Sequence, residues 1–151
     1  MDGLNLEALI PSLDKILDKL DMLVRLLVLA GPLTMLGLGL FCFLAAPKEA
    51  NWIAGYRFHY GMAKVRSWQF MQRLAGIVYS GAGLLLSVIM GIICTGFRNM
   101  PPMEMVHSAG VMIVWELGVL IAAIIGINVT VIVLFDMEGN RRKDFKGMKL
   151  S

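Results

Sequence analysis

The 151-residue chain contains only two histidines and two cysteines, and charged residues make up just 17% of it. Each scarcity excludes something. Cys42 and Cys94 fall near opposite ends of two different apolar runs, too far apart for a bridge, so no disulfide framework is expected. Both read as small, polarizable packing residues. His59 and His107 lie in different polar segments, with no cysteine or carboxylate at metal-ligand spacing beside them. No G-x-S-x-G, phosphate loop or paired-carboxylate arrangement occurs. The expectation is a protein that is not an enzyme and carries no metal or cofactor. The basic C-terminal stretch comes with neither a reader fold nor an aromatic platform, so nucleic acid is not an expected partner.

What is present is apolar length. Hydrophobic residues are 58% of the chain, and three runs, 26–46, 74–97 and 111–135, each exceed about 20 residues. A helix of that length spans roughly 30 Å of hydrocarbon. The runs are apolar all round, which a surface helix is not. The fold class predicted is all-α, an integral membrane bundle of three transmembrane helices. A loop at 47–73 and a tail at 136–151 flank them. Basic residues number five in the loop and five in the tail, against three in 1–25 and one in 98–107. By the positive-inside rule the loop and tail are cytoplasmic and the N-terminus is outside. The Arg141-Arg142-Lys143 cluster would also attract anionic membrane lipid.

Residues 1–25 begin with acids rather than bases and lack a cleavage site, so they do not read as a signal peptide. Pro11-Ser12 reads as a helix start with Ser12 as N-cap. Leu13, Ile16, Leu17, Leu20 and Val24 then recur at helical spacing opposite Asp14, Lys15, Asp18, Lys19 and Asp21. This pattern predicts an amphipathic N-terminal helix lying in the interface.

Within the spans, Gly31-Pro32 predicts a kink or first turn, followed by Gly37 and Gly39. Gly76, Ser80, Gly83, Ser87 and Gly91 form a small-residue stripe, the pattern of close packing within the bundle or of a homodimer. Glu116 is the one acid inside a span, and it requires a partner, water or a proton. Arg25, Arg98 and His107 are the partners expected for it. Asn128 and Thr130 are expected to hydrogen-bond between helices.

The loop carries the most specific pattern. Asn51 precedes Gly55-Tyr56-Arg57, and Trp68 follows eleven residues after Arg57, then Gln72 and Ala75-Gly76. Trp68 fits an interfacial aromatic belt, and Arg57 could act as a fixed cation for an acid, phosphate or peptide carboxylate. This arrangement resembles the SdpI family of bacterial immunity proteins. That family reads Asn-x-x-x-Gly-aliphatic/aromatic-Arg-Thr, then Trp, then Asn four residues on, then Gly at the head of a helix. The likeness covers roughly residues 30–135, with one helix before the motif and two after it. Asn51, Gly55, Arg57 and Trp68 match outright; Gln72 stands where Asn is usual and Phe58 where Thr is usual.

The resemblance implies a bacterial cytoplasmic-membrane protein that protects its producer against a secreted antimicrobial peptide. It implies as partners a hydrophobic peptide toxin or a cytoplasmic regulator. The alternative reading is an accessory subunit of a larger membrane complex, motivated by the small-residue stripe and the amphipathic segment. A proton-coupled carrier, motivated by Glu116, is a third.

Overall fold

A computed structural model describes the backbone of residues 6–50 and 53–142, and the side chains of that set except 6–14 and Asn99. Among these residues the chain is helical with no sheet. Helix α1 covers Leu6–Leu44, a single turn α2 covers His59–Met62, α3 covers Val65–Thr95, and α4 covers Pro102–Leu134. A 3-10 turn, Gly96–Asn99, joins α3 to α4. Stretches of 30 residues in α1, 34 in α3 with the start of the 3-10 turn, and 33 in α4 are long and apolar enough to cross a membrane. The side chains on their outer surfaces, among them Leu26, Leu85, Ile92, Val114 and Ile125, are exposed and aliphatic. Water would reject that surface and hydrocarbon would accept it.

Helix α1 corrects two expectations. It runs unbroken from Leu6, so Pro11-Ser12 is not its start, and no break separates residues 6–25 from the first span. Ile16 and Leu17 are exposed like Lys15, Asp18 and Lys19, whereas Leu20 and Val24 pack on the core, so only the later part of the expected apolar face meets the bundle. Residues 13 and 14 of the expected amphipathic pattern lie outside the described side chains. Pro32 sits inside the helix with its ring wholly buried.

Glycine sets the packing of α1 on α3. A Cβ at Gly83 would lie 2.5 Å from the Leu36 amide nitrogen and 2.9 Å from the Pro32 carbonyl. One at Gly76 would lie 2.7 Å from Phe43 Cβ and 2.8 Å from its amide nitrogen. Gly39 of α1 repays the approach, pressed against the backbone of Tyr79 and Ser80. Without a hydrophobic force between helices in lipid, such contacts bring dispersion and close backbone approach instead. The predicted stripe on the second span is thus an intramolecular seam at Gly76 and Gly83, whereas Gly91 meets open space. Ser80 and Ser87 bond back to the Gly76 and Gly83 carbonyls of their own helix, at 2.6 and 2.7 Å.

Helix α4 begins with Pro102 in its first turn and Glu104 beside it, both suited to a helix N-terminus. It is far less covered: 11% of its most apolar window is buried, against 28% for α1 and for α3. Beyond Leu134 the chain turns back, with Phe135 bridging Arg141 in antiparallel fashion and Gly139 in the left-handed region at φ 72°. A Cβ at Gly139 would lie 2.9 Å from the Lys64 amide nitrogen and from Ser67 Oγ, so this turn rests on the corner that starts α3. The Lys64 ammonium also bonds the Asn140 side chain.

Candidate functional site

The loop between α1 and α3 is strapped to the bundle by the residues that carry its sequence pattern. Gln72 holds it with both ends of its amide. Its oxygen accepts from the Tyr56 amide at 2.8 Å, and its nitrogen donates to the Tyr56 carbonyl at 2.6 Å. The loop backbone thereby obtains a partner for each polar group at Tyr56, as a buried strand would. Gly55 makes the approach possible. Its φ is 100°, a conformation reserved in practice for glycine, and a Cβ there would lie 2.9 Å from the Gln72 oxygen.

Tyr56 then reaches across the bundle. Its hydroxyl donates to the Asn128 side-chain oxygen of α4 at 2.8 Å, and its ring packs tilted on Tyr79 at 5.8 Å. Burial pushes the Tyr56 phenol above its ordinary value, opposed by hydrogen bonding with Tyr79 and Asn128. One tyrosine therefore touches both α3 and α4. Asn128 bonds out of its helix, but to the loop and not to another helix as expected, and the Thr130 hydroxyl bonds the Gly126 carbonyl of its own helix.

Trp68 departs from the expected lipid-facing belt. It is fully buried, packed with Met71, Val131 and Phe135, and its indole N–H donates to the Pro47 carbonyl at 2.7 Å. The loop folds back over the start of α3 and covers it. Gln69 adds a bond to the Lys48 carbonyl at 3.3 Å. Ser67 completes the corner: its oxygen accepts from the Lys64 amide at 3.2 Å, and its hydroxyl faces the Gly61 and Lys64 carbonyls. Of the sequence-predicted residues, Gly55, Tyr56, Trp68 and Gln72 are therefore brought together as one connected knot, and Gly76, one turn beyond Gln72, lies in the seam with α1. Arg57 is exposed on its surface, its guanidinium donating to the Ile53 carbonyl at 3.0 Å. Asn51 lies outside the described residues.

Glu116 lies apart from this knot, in the half of the bundle nearer the 3-10 turn. It is 8% exposed, and its Oε1 has no hydrogen-bond partner. None of the expected cations reaches it. Arg25 pairs with Asp21 at 2.9 Å, and His107 and Arg98 are exposed. Its neighbour is instead Gly31 of α1, which the sequence marked only as part of a Gly-Pro pair.

A groove of about 490 Å³ opens between α3 and α4 on the same half. Met90, Met112, Trp115 and Val119 line it, with His107 and Ser108 at its polar end. Sequence reasoning named His107 for another role and missed the apolar lining, because Met, Val and Leu at helical spacing are indistinguishable from lipid-facing positions. Among the described residues no cluster of His, Cys, Asp or Glu is arranged to hold a metal. Comparison with family models, with curated proteins and with solved structures finds no match.

Proposed function

We propose that this chain is an SdpI-type immunity or toxin-sensing module of the bacterial cytoplasmic membrane, with its loop and tail in the cytoplasm. The observation that supports this most is the convergence of Gly55, Tyr56, Trp68 and Gln72 on one site, with Gly76 one turn further along α3 in the seam with α1. Each residue type there answers a separate geometric demand. Glycine supplies a positive φ, the amide a two-point clamp, the indole a buried donor and the second glycine a backbone seam. A pattern with that internal logic is one device, not scattered coincidences.

The device suits a relay. An apolar peptide arriving through the bilayer finds its chemistry in the Met90–Met112–Trp115 groove. Anything wedged between α3 and α4 there moves α4, and α4 holds the loop through Asn128 and Tyr56. The loop in turn carries Arg57 on its exposed surface, a fixed cation suited to an acidic group on a cytoplasmic regulator.

The test is expression in a host sensitive to such a peptide, with survival measured at matched membrane abundance. Arg57→Ala and Trp115→Ala, both on exposed side chains, should abolish protection while leaving abundance unchanged. Survival equal to wild type in both variants would sink the reading. Trp68→Ala is the control for loss of the fold rather than of the function.

A second reading, an accessory subunit of a larger membrane complex, is favoured by the surface of α4. Gly110, Gly118 and Gly126 recur every eight residues there with nothing within 4 Å of a Cβ. Co-purification of a stoichiometric membrane partner would favour this reading over the first.

A further inference from the structure

Glu116 follows Pro102 by 14 residues and precedes Leu134 by 18, so about 21 Å and about 27 Å of helix flank it. It is therefore remote from both ends of its span. A Cβ at Gly31 would lie 2.5 Å from its Oε2, so glycine at that position is what allows the carboxyl to seat on α1. Its other oxygen, Oε1, is buried without a partner. A carboxylate at such depth, unpaired and dry, is strongly disfavoured.

The groups facing it do not supply a counter-charge. On α1 the charged residues nearest Gly31 in sequence are Arg25 and Asp21, and they are paired with each other. From α3 comes Cys94, within electrostatic reach of Glu116 and of that pair. On α4 itself, His107 and Glu104 lie nearer the helix start and are exposed. Near Gly31, α1 leaves a backbone acceptor without its helical donor. Pro32 has no amide hydrogen, so the carbonyl of wholly buried Val28 loses its donor within the helix, one turn from Gly31. A protonated carboxyl can donate to a carbonyl, whereas a carboxylate can only accept.

We propose that Glu116 is a reversible proton-binding site inside the bundle, and that its proton controls how closely α4 seats on α1 at Gly31. The proton comes from bulk water and returns to it. With the proton, Glu116 is a neutral donor beside Gly31 and the contact is closed. Without it, the carboxylate requires water or a cation, and the α1–α4 contact at Gly31 must part to admit either.

The experiment is infrared difference spectroscopy of the full chain in lipid nanodiscs, following the carboxyl C=O stretch from about pH 5 to about pH 9. The expected result is a protonated-carboxyl band that fades reversibly as pH rises, is lost in Glu116→Gln and survives in Glu104→Gln. Gly31→Ala should shift its midpoint, because the added methyl displaces Oε2, whereas Gly118→Ala on the open face of α4 should not. Glu116→Asp keeps a carboxyl and should titrate at a changed midpoint even if Glu116→Gln does not fold. Absence of a titrating band in the wild type, or its persistence in Glu116→Gln, would overturn the site. A midpoint unmoved by Gly31→Ala would overturn the coupling to α1.

Discussion

Helices α3 and α4 both carry glycines at regular helical intervals, yet the two sets do opposite things. On α3, Gly76 and Gly83 meet the backbone of α1, so closely that any larger side chain would overlap it. On α4, Gly110, Gly118 and Gly126 meet nothing. The sequence spacing alone does not separate the two cases. What separates them is a complementary glycine on the facing helix: Gly39 of α1 lies against Tyr79 and Ser80, between the levels of Gly76 and Gly83. A glycine seam in a membrane is thus a property of two helices, and it exists only where each yields room to the other.

The sharpest way to break this comparison is to place the same large side chain on both helices. Gly83→Leu should destabilise the bundle by about 3 kcal/mol or prevent folding, because the Leu36 backbone has no way to retreat. Gly118→Leu should stay within about 0.5 kcal/mol. Equilibrium unfolding in mixed micelles checks both, and equal losses would mean that a partner covers α4.

Next in size is Gln72→Ala. It strips both hydrogen bonds from a buried peptide unit at Tyr56 and should cost about 1–3 kcal/mol, read by the same unfolding curves. Gly55→Ala should cost about 1–2 kcal/mol, since alanine pays for the positive φ and crowds the Gln72 amide together. If the Gln72 clamp and the Gly55 turn are one device, the double variant should lose less than the two single losses added.

The smallest effect concerns Tyr56 and alkaline pH. Burial holds its folded-state phenol above the ordinary tyrosine value, so the folded state keeps the proton that the unfolded state loses first. The resulting stability is fully present below about pH 10 and is lost as pH rises through the folded value. Melting curves from about pH 8 to about pH 11 should show that decline, and Tyr56→Phe should flatten it.

Much of this was legible beforehand. The three spans follow from hydropathy, because lipid imposes length and apolarity on each helix separately. The loop motif was legible as a pattern but not as a mechanism. Gln72 bonds a residue 16 positions earlier, and helical periodicity says nothing about a loop that folds back. Trp68 reads as a lipid anchor in the sequence for the same reason: an aromatic at a span's edge looks identical whether the preceding loop covers it or not. Glu116 was expected to meet a cation, since charge pairing is the usual remedy for a buried acid. It met a glycine, because Arg25 lies one turn from Asp21 on its own helix and takes the nearer partner. The continuity of α1 past residue 25 was missed because exposed charge on one face resembles an independent amphipathic helix.

The turn around Gly139 has a bearing on how the protein is made. It rests on Lys64 and Ser67, at the corner where α3 begins, yet it follows α4 in the chain. A chain emerging in order from the ribosome can zip α1 to α3 as soon as both are inserted. The corner that starts α3 must wait until α4 has crossed the membrane and delivered the turn. Early and late synthesis therefore meet at one latch, and a chain stalled within α4 would hold a finished seam beside an α3 corner that still lacks its Gly139 cover.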